Sequence, residues 1–328
     1  MQSTQFRHAK GTASACGPAV WAARGGCTRP RGLRIVCASI LALATTAAHA
    51  EDTGPVIAER FHALTRASTW TLIESIPIEF DTHHPQGMIL LDDTIYLSSV
   101  EVIDRAKGEG FGHMFKLDRR GKLLHDLHLG EGPMYHPGGI DFDGHRLWVS
   151  VAEYRPDSRS IVYTVDPGTM IAQKLFEFPD HLGALVLDRQ RNQLIGVNWG
   201  SRRFYRWPLR ETGSGPAPDD PLHPETQPNG SHYIDYQDGH FLPGTRYALF
   251  GGLASHPGPG GKAFTLGGIE LVNLDTLRAE HQVPVPLWSD SGRPMTQNPF
   301  YIAPTKKGLR AYFLPDDNRS TLYVYLAK

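Results

Sequence analysis

The sequence has no cysteine beyond residue 37, since its three cysteines are Cys16, Cys27 and Cys37. The rest of the chain therefore cannot hold a cysteine nucleophile, a zinc–thiolate site or an iron–sulfur cluster, because each needs a thiolate. A chain without disulfides must build a core large enough to fold unaided, and its length allows one. The lack of thiols also suits an oxidising compartment, where none can mispair.

The first fifty residues have no Asp or Glu but carry six Lys and Arg residues. An apolar run begins at Ile35 and ends in Ala48-His49-Ala50. The run is too short for a membrane span, which needs about 20 apolar residues. These features predict a secretory signal peptide over residues 1–50 and a secreted or periplasmic protein. An uncleaved N-terminal anchor is the alternative.

An excess of positive charge is also missing. Six of the 33 Lys and Arg residues lie in the first fifty, so 27 remain against 34 Asp and Glu. Nucleic acids and anionic membranes both attract basic surfaces. We therefore expect neither as a partner once the signal peptide is removed, and a small-molecule ligand instead. The oligomeric state has no signature in the sequence.

Helical periodicity is confined to a lead segment, residues 51–68, where a short helix is predicted. From residue 69 the chain consists of short β-rich runs separated by Gly, Pro, Asn and Asp, the pattern of an all-β fold. Five segments resemble one another, each with a polar start, an apolar strand, a tight turn and a second apolar strand. The starts are His84, His136, His181, His232 and Asn298.

A second hairpin follows most of these segments, which makes four strands per unit, as in a propeller blade. The sequence predicts a five-bladed β-propeller as a single domain over residues 69–328, its ring closed by an N-terminal strand over residues 69–78. The third unit has no obvious fourth strand. Six blades are the alternative if residues 255–266 or 284–296 form another unit. A β-sandwich would not explain the recurring His-Pro-x-Gly start.

In a propeller the polar starts lie on one face, near the central channel. Imidazole suits Zn, and carboxylate suits Ca, Mg or Mn, so one divalent ion is a candidate cofactor. The same histidines could instead be structural, filling the mouth of the channel. Predicted metal ligands are Glu101, Glu153, Asn198 and Asp316. Predicted ligand-binding residues are His84, His136, His181, His232, Asn298, Trp199 and Arg202.

The blade pattern and entries such as His136-Pro-Gly-Gly-Ile-Asp resemble an exported bacterial propeller family of unknown function. More distantly, the chain resembles the regucalcin or gluconolactonase group and strictosidine-synthase-like proteins. The lactonase resemblance implies a divalent ion held by Glu, Asn and Asp, for which the four predicted metal ligands are the matching residues. The histidine starts depart from that group's pattern.

Three functions follow as expectations. The first is a protein that binds a small molecule or a divalent ion at the channel face. The second is a metal-assisted hydrolase of a lactone or ester, in which the ion lowers the pKa of bound water and His84 or His136 relays a proton. The third is a protein-interaction platform. The sequence assigns no catalytic residue.

Overall fold

The computed structural model describes residues 53–213 and 215–328, so the predicted signal peptide lies outside the described residues. The first element is α1 (Thr53–Ala63), within the predicted lead segment. Its Ile57, Ala58 and Phe61 are buried against strands of the body. Over the described residues, no helix is both long and apolar enough to cross a membrane.

Strands make up most of the remaining described chain, which confirms the predicted all-β class. The first eleven are β1 (Trp70–Pro77), β2 (His84–Leu91), β3 (Thr94–Asp104), β4 (Glu109–Asp118), β5 (Leu123–Leu129), β6 (Met134–Phe142), β7 (Leu147–Glu153), β8 (Ser160–Val165), β9 (Ala172–Phe178), β10 (Leu182–Asp188) and β11 (Gln193–Asn198). The others are β12 (Arg203–Thr212), β13 (Gly215–Pro218), β14 (Glu225–Pro228), β15 (Asp235–Phe241), β16 (Tyr247–His256), β17 (Phe264–Asn273), β18 (Arg278–Val285), β19 (Phe300–Thr305), β20 (Gly308–Phe313) and β21 (Thr321–Ala327). Short 3-10 turns lie at Trp199–Ser201 and Pro259–Gly261.

Strands that are joined by a hairpin pair antiparallel, because a short connection reverses the chain direction. Three sheets have four strands each: β2 to β5, β15 to β18, and β19 to β21 with β1. A nine-stranded sheet contains two antiparallel sets, β6 to β9 and β10 to β14. These two sets join through one parallel pair, Ala184 opposite Gly139.

The N-terminal strand lies beside the C-terminal strand. Along β1 and β21, Trp70 is opposite Ala327 and Pro77 is opposite Thr321. The segment predicted over residues 69–78 is therefore a strand, and it shares a sheet with the end of the chain.

The third repeat differs from the expectation that it lacks a fourth strand. Two short strands, β13 and β14, pair with the two halves of β12. Prolines in this stretch limit the length of each strand because proline cannot donate a ladder hydrogen bond. The outer edge of β12 is thus covered in two pieces.

We call β2, β6, β10, β15 and β19, the first strand of each antiparallel set, the inner strands. The glycine of the His-Pro-x-Gly start is required because neighbouring inner strands pack closely. A Cβ atom on Gly87 would lie 2.6 Å from the backbone nitrogen of Ile140, and one on Gly139 would lie 2.7 Å from Asp238 Oδ1 and 2.9 Å from the Cβ of Ala184. A side chain cannot fit at either position. This part of the repeated motif is therefore structural.

Buried clusters join the sheets face to face. In one of them, Leu97 and Phe115 of the sheet β2 to β5 pack with Leu322 and Val324 of β21. Other clusters join β2 to β5 with β6 to β9, and so on along the chain to the last sheet. Each sheet therefore buries both faces, which is the usual source of stability for stacked sheets.

Candidate functional site

His84 is the first residue of β2 and forms a charge-assisted hydrogen bond with Asp317, in the loop between β20 and β21. Its Nδ1 lies 2.7 Å from Asp317 Oδ1. Burial alone would raise the pKa of Asp317, but hydrogen bonds from His84 and Asn298 and the charges of His84 and Arg293 hold it below its usual value. Asp317 is therefore an ionised anchor for the His84 ring.

His136 lies deeper, within β6, and is covered by the phenol ring of Tyr154. The two ring centroids are 4.0 Å apart with an interplanar angle of 26°. Burial, followed by the charges of His181, His84 and Arg105, lowers the pKa of His136 well below its usual value. Its Nδ1 is buried and has no hydrogen-bond partner among the described residues. His136 is thus a neutral imidazole.

His181 immediately precedes β10 and is also neutral. Burial lowers the pKa of His181 to about 4, against the opposing effect of its bonds to backbone. Its Nδ1 donates to the carbonyl of Glu153 at 2.9 Å. The edge of its ring meets Trp199, with centroids 4.8 Å apart. Its ring is therefore fixed by backbone on one side and by indole on the other.

Arg105 follows β3 and provides the positive charge beside these rings. Its Nε donates to the carbonyl of Tyr154 at 3.0 Å, and its guanidinium carbon lies 4.0 Å from the Tyr154 ring centroid and 5.7 Å from that of Trp199. Within residues 53–213 and 215–328 no carboxylate forms an ion pair with Arg105. The guanidinium is held by aromatic faces rather than by an opposite charge.

We call this group the histidine site. Flat aromatic surfaces, neutral imidazoles and an unneutralised guanidinium are groups that bind a planar anion. Its members are Arg105, Tyr154, Trp199, His84, His136, His181 and Asp317.

The structure brings together only some of the predicted ligand-binding residues. His84, His136, His181 and Trp199 belong to the histidine site, and Asn298 joins it by donating to Asp317 at 3.2 Å.

His232 and Arg202 are placed differently. His232 is exposed before β15, and its Nδ1 accepts from Arg202 at 2.7 Å. Arg202 also pairs with Asp235 at 2.8 Å. These two residues therefore bind each other, because the chain before β15 turns towards the end of β11.

The predicted metal ligands are separated by their local partners. Arg155 and Arg159 pair with the carboxylate of Glu153. Two serines donate to Asp316, and Asn198 Oδ1 accepts from the backbone of Arg203. In the described part of the chain, neither Glu153 nor Asp316 belongs to a group of three His, Asp or Glu side chains close enough to share an ion.

Glu101 is the exception among the predicted metal ligands. It lies near His83 and His113, in the sheet β2 to β5. Glu101 and Glu153 each lie five residues after an aromatic residue, Tyr96 and Trp148 respectively, but the two carboxylates have different neighbours.

Three members of the histidine site were not among the predicted ligand-binding or metal-binding residues: Arg105, Tyr154 and Asp317. Each follows a predicted residue or strand closely, for example Tyr154 after Glu153 and Asp317 after Asp316. Their position in the sequence could have identified them, because the loops that follow the second strand of each unit lie on the same face as the histidines.

Two buried carboxylates connect the inner strands below the histidine site. Asp238 accepts hydrogen bonds from the backbone of Met88 at 2.9 Å and of Ile140 at 3.2 Å. Asp141 accepts from the backbone of Leu187 at 2.8 Å and of Phe241 at 3.2 Å. Burial raises the pKa of Asp141 to about 6.

A cavity of about 730 Å³ lies at the opposite ends of the same inner strands. Leu91 at the end of β2 lines it, whereas His84 at the start of β2 belongs to the histidine site. Its wall includes Ile57 of α1, and Asp141 and His240 also line it. The two sites are therefore separated by the length of a strand.

The model of DUF6454, a family of unknown function, matches residues 43–328. The chain belongs to this family. Its fold resembles several solved structures. A hypothetical protein from Leishmania major is 10% identical with a TM-score of 0.47, over 83% of this chain and 94% of that one. A glucose dehydrogenase is 11% identical with a TM-score of 0.45, over 77% and 99%. A luciferin-regenerating enzyme is 9% identical with a TM-score of 0.43, over 79% and 95%.

A search of curated proteins finds no match to this DUF6454 chain. The resemblance to the regucalcin and strictosidine-synthase-like groups therefore stays a prediction.

Proposed function

We propose that this DUF6454 protein is an exported β-propeller that binds a small organic anion with a flat ring at the histidine site. The observation that supports this ligand class is Arg105. Its guanidinium lies against the Tyr154 ring and near Trp199, with no carboxylate partner in the described chain. A planar anion beside these groups would neutralise the charge and stack on an aromatic face.

The five-bladed form of the propeller is part of this proposal. One parallel residue pair is a weak link between β6 to β9 and β10 to β14, so we count them as two blades. The buried clusters run from each blade to the next and from the last to the first. Residues 255–266, a candidate sixth blade, span the β16–β17 hairpin, and residues 284–296 contain one isolated bridge among the described residues.

Export is proposed from the basic, cysteine-containing leader and its small-x-small end. The mature chain should then begin at Glu51, as measured by intact mass of the protein from a periplasmic or culture fraction. A chain that starts at Met1 in that fraction would contradict cleavage.

A small molecule is favoured over an ion at the histidine site. Glu153 is already neutralised by two arginines, and the pKa values of His136 and His181 are lowered partly by the positive charge of Arg105. The carboxylate of Asp317 is already paired with His84 and Arg293. Beside Arg105 a cation would therefore be repelled, whereas an anion would be attracted.

The test uses 2-naphthoate as the probe, with 2-naphthamide as its uncharged counterpart. We expect 2-naphthoate to bind with a Kd at least tenfold lower than 2-naphthamide by isothermal titration calorimetry, since tenfold corresponds to about 1.4 kcal/mol. Arg105→Gln should weaken 2-naphthoate about tenfold and leave 2-naphthamide unchanged. Arg119→Gln is the matched control, because Arg119 pairs with Asp93 away from the site.

Equal affinity of the two probes for the unaltered protein would refute the charge argument. Absence of measurable binding of 2-naphthoate up to millimolar concentration would refute the ligand class.

A further inference from the structure

A second set of side chains, outside the histidine site, lies on the sheet β2 to β5. Glu101 on β3 is opposite Phe111, and His113 on β4 is opposite Ser99, so Glu101 and His113 are diagonal neighbours on one face. His83, just before β2, stacks on His113 with ring centroids 4.9 Å apart. We call His83, Glu101 and His113 the edge cluster.

His113 is buried, and only one of its two ring nitrogens has a hydrogen-bond partner among the described residues. Its side chain is 5% exposed, and its Nδ1 lies 2.9 Å from Asp126 Oδ1. Its Nε2 is buried with no hydrogen-bond partner in the described structure, and it points at Glu101, whose Oε2 is 3.7 Å away. Buried polar atoms are ordinarily bonded, so an orphan nitrogen aimed at a carboxylate requires an explanation.

The hydrogen bond with Asp126 at Nδ1 determines whether His113 Nε2 can act as a metal ligand. A carboxylate at Nδ1 keeps the ring proton there, which leaves a lone pair on Nε2 of the neutral imidazole. A lone pair on Nε2 would repel the Glu101 carboxylate, and a metal cation between the two atoms would replace that repulsion with two favourable contacts. An aspartate that accepts from the far nitrogen of a histidine is the arrangement that orients metal-binding imidazoles.

We infer that His83, Glu101 and His113 bind one divalent transition-metal ion, with Zn²⁺ the preferred ion and Asp126 positioning His113. Two imidazoles and a carboxylate are a Zn²⁺ ligand set that leaves a fourth position for water or a ligand. The candidate ligand atoms all lie within 4.8 Å of one another. Around tetrahedral Zn²⁺ with bonds of about 2.0–2.1 Å they would be roughly 3.3 Å apart, which small side-chain rotations achieve.

The fourth position is accessible to solvent because the Glu101 side chain is 38% exposed. His113, Asp126 and His128 form an overlapping group. In that group the His113 Nδ1 that would bind the ion already donates to Asp126, and the His128 side chain is 61% exposed. The edge cluster is therefore the better site.

The test measures Zn²⁺ binding to the full chain in which Cys16, Cys27 and Cys37 are replaced by serine, so that no thiolate competes. Competition with a chromophoric chelator should give one equivalent of tightly bound Zn²⁺, and Co²⁺ in its place should show the visible absorption of a tetrahedral site. Glu101→Gln should weaken Zn²⁺ at least tenfold, and His113→Ala should abolish the site. Asp126→Asn should weaken it by about 10- to 100-fold.

His128→Ala is the matched control and should leave Zn²⁺ affinity unchanged. Because His113 is buried, Glu101→Gln at the surface keeps the test valid if the His113 variant does not fold.

Absence of a bound equivalent would overturn the inference. Loss of Zn²⁺ in His128→Ala with retention in Glu101→Gln would also overturn it, in favour of the overlapping group. Neither result bears on 2-naphthoate, which Glu101→Gln should bind as the unaltered protein does.

Discussion

The carboxylate of Asp238 accepts a hydrogen bond from the backbone amide of Met88 at 2.9 Å, across 150 residues of sequence. Asp238 is fully buried and also accepts from Ile140, so one side chain on β15 satisfies backbone donors of β2 and β6. Asp141 does the same for β10 and β15. The inner strands are therefore held together by side chains where backbone pairing between sheets is nearly missing.

Replacing Asp238 by alanine should be strongly destabilising. The change removes the acceptor of three buried backbone amides, those of Met88, Ile140 and Gly239, and we expect a loss of about 3 kcal/mol or more in the free energy of unfolding. Urea unfolding of the variant beside the unaltered protein measures it. Asp93→Asn, at an exposed turn, should stay within about 0.5 kcal/mol. A cost below 1 kcal/mol for Asp238→Ala would show that the carboxylate does not connect the strands.

The buried His181 should make stability depend on pH. Its pKa of about 4 in the folded protein is below the usual 6.5. The unfolded chain therefore binds the proton more readily, and the stability that His181 contributes is present above pH 6.5 and lost as pH falls towards 4.

His181→Gln isolates this effect because the variant retains the opposing titration of Asp141. The advantage in unfolding free energy of the unaltered protein over the variant should shrink by about 3 kcal/mol between pH 6.5 and 4. A constant difference over that range would mean that His181 titrates normally. Urea unfolding at each pH provides the measurement.

Tyr154 should control the protonation of His136. Tyr154→Ala removes the ring that covers the imidazole, so the pKa of His136 should rise towards 6.5, whereas Tyr154→Phe keeps the cover and should leave it low. Titration of the histidine ring resonances by NMR distinguishes the two variants. A low pKa of His136 in both variants would show that the rest of its surroundings, rather than Tyr154, excludes water.

Removal of β1 should expose the edge of β21. A chain that starts at residue 67 loses α1 but keeps β1, and we expect it to remain unaggregated with a lowered Tm. A chain that starts at residue 79 loses both and leaves β21 unpaired, so it should aggregate, as open sheet edges do. Light scattering and thermal melting compare them. Equal behaviour of the two truncations would show that β1 does not protect that edge.

The sequence predicted the local fold correctly at positions where the repeated backbone geometry permits few residue types. The alternation of apolar residues predicted the hairpins, and the glycine of the two His-Pro-x-Gly starts marked a backbone requirement, because Gly87 and Gly139 occupy positions that admit no side chain. The strand over residues 69–78 was also foreseen.

The side-chain partners were not predictable in the same way. Glu101 and Glu153 have equal sequence offsets, yet one faces His113 and the other faces Arg155 and Arg159. Those neighbours come from loops and from an adjacent strand, and their spacing follows no repeat. The face on which a residue lies can thus be predicted from the spacing of the sequence repeats. Its ion-pair partners cannot, because they depend on tertiary contacts.

The pairing of β1 with β21 also constrains the order in which the sheets can form during synthesis. These strands come from the two ends of the described chain, so their sheet is completed only after the C-terminal residues have left the ribosome. Contacts between such distant segments form slowly, because a long loop must close first. A nascent chain therefore cannot complete this sheet until the seven-residue strand Thr321–Ala327 is available, however early the other sheets form.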